Sequence, residues 1–185
     1  MTPCVVCLSG RIGSGKTSVS SAFASAHHSA VTGFGAFVRA EAGARGLDST
    51  RREVLQDLGE ELISMRGNDW LCRQVIATAN WKRDRDLVID GVRHVSVFEA
   101  IKLIVAPTTA LLVHLQLDFR GELDSRGERR GIAPLSRPEL EAHSTERDVI
   151  AALPAVADLV VIAEWPVEQI VAAIYAFLNE RRAKG

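Results

Sequence analysis

The chain has 185 residues, 47% of them hydrophobic and 24% charged, with a formal net charge of −1. This is enough apolar material for one core of ordinary size, and the near-neutral balance gives no bulk attraction to nucleic acid or membrane, so small anions are the expected partners. No apolar stretch approaches the roughly 20 residues that span a bilayer, and the N-terminus lacks a charged segment followed by a leader-type apolar core, so a cytoplasmic protein is expected.

The first apolar run, Cys4-Val5-Val6-Cys7-Leu8, predicts a strand. Strand residues three apart point to opposite faces, so Cys4 and Cys7 are expected to pack rather than grip one metal ion. With Cys72 they make three cysteines, too few for a disulfide framework. Directly after the run stands Gly10-Arg11-Ile12-Gly13-Ser14-Gly15-Lys16-Thr17, a complete G-x-x-x-x-G-K-[ST] phosphate-binding loop, followed by Ser18 and a helical pattern from Thr17 to His27. The chemistry needs this order. The glycines let backbone N–H groups turn around a phosphate, the helix offers its positive end, Lys16 reaches the β/γ-phosphates, and the Thr17 hydroxyl ligates Mg²⁺.

A second strand is predicted near Ala30–Thr32, followed by Thr32-Gly33-Phe34-Gly35-Ala36 and Arg39. Thr50-Arg51-Arg52-Glu53 reads as a capping box opening a helix with Val54, Leu55, Leu58, Leu62 and Met65 on its apolar face. On that helix Arg52 and Gln56 are four apart and share a face, as a phosphate clamp beside a base- or sugar-reading amide requires. Trp70 either stacks on an acceptor ring or packs in the core. The third strand, Leu87–Ile89, runs into Asp90-Gly91-Val92-Arg93-His94. Asp90 at the C-terminal edge of a parallel sheet would share the crevice with the loop and hold Mg²⁺, and Arg93 would bind an acceptor phosphate through two prongs. The alternative is an Asp90 that caps a helix and a solvated Arg93.

A fourth strand is predicted at Leu111–Leu117. After it, Asp118 to Pro134 is polar, with three glycines and the arginines Arg120, Arg126, Arg129 and Arg130, and Arg137 just beyond. It reads as a lid that orders over bound nucleotide, with Arg120 and Arg126 on the triphosphate and Arg126 and Arg130 stabilising the transferring group; the rival reading is a solvated surface. Ser136-Arg137-Pro138-Glu139 reads as a second capping box, Leu159–Ile162 as a fifth strand, and Pro166 as the opening of a last helix with Ile170, Ala173, Ile174 and Phe177 on its apolar face. His27 and His28 end the first helix, where positive charge suits the dipole. His94, His114 and His143 show no metal-ligand spacing. Strands alternating with helix-length segments give the rhythm of a parallel α/β sheet covered on both faces.

These residues resemble the P-loop nucleoside monophosphate kinase group, most closely its deoxynucleoside monophosphate kinase-like branch, with dephospho-coenzyme A kinase-like relatives. The resemblance rests on Gly10–Thr17, on Thr50 to Gly59 with Trp70 downstream, and on Val88 to His94, all within about the first 105 residues. It implies one three-layer α/β/α domain over residues 1–185, with a parallel sheet of about five strands in the order 2-3-1-4-5 and a lid near 118–136. It also implies ATP as phosphoryl donor, Mg²⁺, and a small-molecule acceptor, in a monomer or homodimer with neither nucleic acid nor membrane as partner. Lys16, Asp90, Arg126 and Arg130 would be catalytic, and Phe34, Arg39, Arg52, Gln56, Trp70, Asp90 and Arg93 would line the acceptor site. Kinases acting on a hydroxyl benefit from a carboxylate base that commonly follows the second strand, and Thr32 to Ala36 holds none, so a phosphate acceptor is expected. The alternatives are a hydroxyl-directed kinase and a nucleotide-gated regulator without an acceptor.

Overall fold

The computed structural model describes residues 2–117 and 148–184. In chain order the elements are β1 (Cys4–Gly10), α1 (Lys16–His27), β2 (Ala30–Gly33), α2 (Phe34–Ala44), α3 (Arg52–Thr78), β3 (Leu87–Asp90), α4 (Val95–Val105) and β4 (Thr109–Gln116). After the undescribed stretch come a π-type turn (Asp148–Ala152), α5 (Leu153–Val156), β5 (Leu159–Ile162) and α6 (Val167–Lys184). The five strands form one sheet in the order β2-β3-β1-β4-β5, every pairing parallel. The expected three-layer fold and strand order are therefore what the chain adopts. The second capping box at Ser136 and all the lid arginines lie outside the described residues.

All seven residues of β1 are buried, as a strand covered on both faces must be. Its odd positions, Val5 and Cys7, join Val38, Leu58, Leu71 and Ile101 under α2, α3 and α4, while Cys4, Val6 and Leu8 join Phe23, Ile170 and Ile174 under α1 and α6. Cys4 and Cys7 thus face different layers, as strand alternation predicts. Pro166 accepts the Gln169 and Ile170 amides at the head of α6, and Ile170 and Ile174 are buried from there.

Two local expectations fail for nearby reasons. Thr50 does not cap α3. Asp48 sits two residues before it and accepts both the Thr50 hydroxyl (2.6 Å) and amide (2.9 Å) on one oxygen, so the helix starts later, at Arg52, without a side-chain cap. Met65 is 69% exposed rather than on the apolar face. Gly67, at φ 80° and ψ 164°, breaks α3 just beyond it, and the buried stripe resumes at Leu71, Cys72 and Val75.

A buried ion pair fastens the base of the sheet. Arg182 on α6 donates twice to Asp86 just before β3 (2.5 and 2.7 Å), and Asp86 also accepts the Cys4 amide at 2.9 Å. Their side chains are only 12% and 10% exposed. Removing one member of such a pair strands the other charge, so Arg182→Met should lower stability by about 3–5 kcal/mol in urea denaturation. A loss below about 1 kcal/mol would show that water reaches the pair and screens it.

Candidate active site

The site is built on the ends of β1 and β3. Gly10 closes β1 at φ 143°, and a Cβ there would lie 2.5 Å from the Leu115 carbonyl oxygen of β4 and 2.8 Å from Ser14 Oγ, so the loop can leave the sheet only through a glycine. The loop turns with an Arg11 carbonyl accepting the Ser14 amide (3.2 Å), and Gly13 and Gly15 take φ 84° and 82°. Gly15 caps α1 with no side-chain hydrogen bond, which leaves the first amides of the helix to an anion. Lys16 folds over the rim and donates its Nζ to the carbonyls of Gly10 and Arg11, each at 2.7 Å, and to Ser14 Oγ at 3.3 Å. Arg11 and Ile12 are half-buried, Thr17 and Ser18 exposed.

Beyond β3 the chain hooks across β1: the amides of Gly91 and Val92 both donate to the Leu8 carbonyl, at 3.1 and 3.0 Å. This brings Asp90 to the loop, where its Oδ2 accepts the Thr17 hydroxyl at 2.8 Å. Its Oδ1 is buried and has no hydrogen-bond partner. A P-loop hydroxyl joined to a carboxylate with one oxygen to spare fits a Mg²⁺ ion carried on nucleotide phosphates, which needs one or two protein oxygens rather than a cage. Among the described residues no cluster of three metal-ligating side chains offers such a cage.

Gly33 ends β2 opposite Asp90, and a Cβ there would meet the Asp90 carbonyl oxygen at 3.0 Å and its Cβ at 3.1 Å, so the small residue keeps Asp90 in place. Phe34 follows, with its Cβ 4.0 Å from where a Cβ on Gly91 would stand. Phe34 and Asp90 therefore meet at one edge, and Arg93 follows Asp90 by three residues. Arg52 and Gln56 occupy the first turns of α3, both half-buried, and Gln56 Nε2 is buried without a hydrogen-bond partner. Arg39 lies exposed on α2. Trp70 packs edge-on against Phe37 (6.4 Å between centroids, 73°) with the Arg66 guanidinium 5.5 Å from its ring, so its packing role has partners in the fold. Arg120, Arg126 and Arg130 lie outside the described residues.

Sequence reasoning passed over a buried polar pair beneath the loop. His114 of β4, only 3% exposed, shares a 2.9 Å hydrogen bond with Ser9 Oγ, its register partner on β1. Burial, reinforced by the Lys16 ammonium, pushes its pKa down to about 4. Its signal in the sequence is a lone polar residue in an apolar strand, which metal-ligand spacing does not reveal. At the end of α1, His27 is also corrected: it stacks on Tyr175 (3.9 Å, 10°), and burial lowers its pKa, which favours the neutral ring over a dipole-pairing cation. The capping turn belongs to His28 at φ 52°.

No protein-family model matches the sequence, and no curated protein matches it. Solved structures do share its architecture. They include a shikimate kinase from Acinetobacter baumannii in complex with shikimate, at 16% identity and TM-score 0.61 over 97% of this chain and 95% of that one. A shikimate kinase from Aquifex aeolicus has 18% identity and TM-score 0.58 over 98% and 99%. A gluconokinase from Sinorhizobium meliloti has 17% and 0.59 over 97% and 93%. The chain thus has the three-layer fold of P-loop kinases. No described helix is long and apolar enough to cross a membrane.

The His114 geometry generates a pH test. The unfolded chain takes up a proton near the ordinary value of 6.5, which the folded site refuses until about 4, so stability falls as pH drops through that window, by roughly 3 kcal/mol in all. His114→Asn, which keeps a partner for Ser9, should flatten the stability slope across the window by about one proton, read by urea denaturation at several pH values. An unchanged slope would mean that His114 titrates as an ordinary histidine.

Proposed function

We propose that the chain is an ATP-dependent phosphotransferase that passes the γ-phosphoryl group to the phosphate of a nucleoside or deoxynucleoside monophosphate. The observation that carries this reading is the edge made by Thr17 and Asp90 beside Gly33 and Phe34: one oxygen of Asp90 is held by the loop hydroxyl, and the residues closing β2 bring no second acid to act as a base. An ionised phosphate acceptor needs positioning and positive charge more than a base.

In this reading the loop amides and Lys16 hold the donor phosphates, and Lys16 exchanges its carbonyl contacts for the β/γ oxygens. Mg²⁺ held through Thr17 and Asp90 would neutralise charge developing on those oxygens. Arg52 and Arg93 bind the acceptor phosphate, with Phe34 beside it and Gln56 toward its sugar or base. Arg39 and Trp70 belong to the outer part of that site. Arg120, Arg126 and Arg130 enter on their place in the sequence alone, as charges that close on the transferring group. A hydroxyl acceptor is the second reading. It is favoured by the shared architecture with shikimate kinases and a gluconokinase, and by Asp90 Oδ1, an oxygen without a hydrogen-bond partner that can take a proton.

Product analysis with mononucleotides, polyols and sugar acids as acceptors separates these readings. A diphosphorylated nucleoside is expected; a phosphorylated alcohol would replace the first reading by the second, and ATP turnover indifferent to every acceptor would remove both. Lys16→Ala should abolish turnover in a protein that still folds, and near-wild-type turnover would exclude the loop as the donor site. Arg93→Lys keeps the charge but loses the planar two-pronged contact. It should lower acceptor kcat/KM about ten- to a hundredfold, or about 1.5–3 kcal/mol, with little change in ATP affinity. Equal losses on both substrates would move Arg93 to the donor site.

A further inference from the structure

The buried pair of Ser9 and His114 belongs neither to the acceptor edge nor to the position proposed for Mg²⁺. It stands at the root of the loop. Ser9 immediately precedes Gly10, whose carbonyl accepts the Lys16 ammonium at 2.7 Å, and Gly10 is the register partner of Leu115, the residue after His114. A hydroxyl suits an imidazole in either charge state, because the Ser9 oxygen can donate to a bare Nδ1 or accept from a protonated one. The pair is therefore built to survive a change of charge.

The charged groups around the ring are few among the described residues. Its register partners, Ser9 on β1 and Val160 on β5, are uncharged, and so is every residue of α5. α4 brings Glu99 and Lys102, which pair with each other at 3.1 Å on the exposed side of that helix, and the π-type turn brings Asp148. None of these belongs to the loop. Lys16 does, and with burial its ammonium keeps the ring neutral in the free chain. When a polyphosphate fills the loop, Lys16 exchanges the Gly10 and Arg11 carbonyls for phosphate oxygens, and several negative charges arrive beside its single positive one. Both changes favour a charged ring, while the desolvation that opposes it stays as it was.

We infer that filling the loop with phosphate draws a proton from solvent onto His114, so that the imidazolium becomes a second buried positive charge beneath the phosphates and donor binding is proton-coupled. This rests on the loop as the donor-phosphate site and is independent of which acceptor the chain uses.

Metal-free pyrophosphate is the probe, since it brings phosphates to the loop without a base or an acceptor. NMR of the ring nitrogens in the full chain, with His114 assigned through its own backbone amide, follows the titration free and saturated with pyrophosphate. The midpoint should rise from about 4 to above about 5. Should the free protein unfold before its ring titrates, a ring that charges above about pH 5 only with pyrophosphate bound gives the same result. Calorimetry near pH 5 in buffers of different ionisation heat gives a second reading. There the unaltered chain should take up about half a proton more than His114→Asn, a comparison that subtracts protons gained by pyrophosphate itself. A midpoint that stays or falls with pyrophosphate bound, or equal uptake by the two proteins, overturns the inference and leaves the loop as a phosphate site. If pyrophosphate does not bind the unaltered chain, the donor-site reading falls with it.

Discussion

The Leu8 carbonyl oxygen accepts two amides, those of Gly91 and Val92, and much of the site's geometry follows from this single acceptor. It fixes the end of β3 over the end of β1. Asp90 is thereby brought within hydrogen-bond reach of Thr17, a residue 73 positions away in the chain, without any flexible segment having to hold them together. The hook needs Gly91 at φ 88°, and the space beside Asp90 needs Gly33, so glycines on two neighbouring strands serve one carboxylate. Chemistry at this edge is set by backbone register before any side chain is considered.

The sheet beneath tolerates polar groups only where they are paired. Ser9 and His114 meet across β1 and β4 directly under the loop, and their hydrogen bond lets two polar side chains sit in an otherwise apolar layer. A protonated His114 would lie close enough to Lys16 for the two charges to repel, which is one of the two causes of its lowered pKa. A neutral ring there leaves the Lys16 ammonium as the positive charge over the loop carbonyls.

The strands and the loop were legible in the sequence because their determinants are local. β5 falls at Leu159–Ile162 as read, and β1, β2 and β3 contain the predicted cores of the runs, since a strand buried on both faces must be continuously apolar. The start of α3 departs from the Thr50 to Glu53 capping-box pattern because the neighbouring Asp48 takes the Thr50 hydroxyl. Met65 leaves the apolar face because Gly67, two residues on, ends the helical periodicity that would place it there. The contact between α3 and α4 is hidden for a different reason. Asn68 looks like a solvent-facing position of α3 until Ser96 of α4 accepts its amide at 3.0 Å, and no pattern along the chain encodes that pairing. The approach of Phe34 to Asp90, by contrast, is readable from the rule that parallel strands end at one common edge.

The three thiols give the layered architecture a built-in readout. Cys4 faces the α1 and α6 layer, while Cys7 and Cys72 face the layer of α2, α3 and α4. Burial raises the pKa of all three, that of Cys72 to about 12. Since only a thiolate attacks disulfide or alkylating reagents, each cysteine stays silent until its own helical layer lifts from the sheet. Labelling rates at Cys4 against those at Cys7 and Cys72 therefore time the detachment of the two layers separately. Because Cys4 and Cys7 share the strand that carries the loop, the same measurement registers how firmly a phosphate ligand clamps β1 between them.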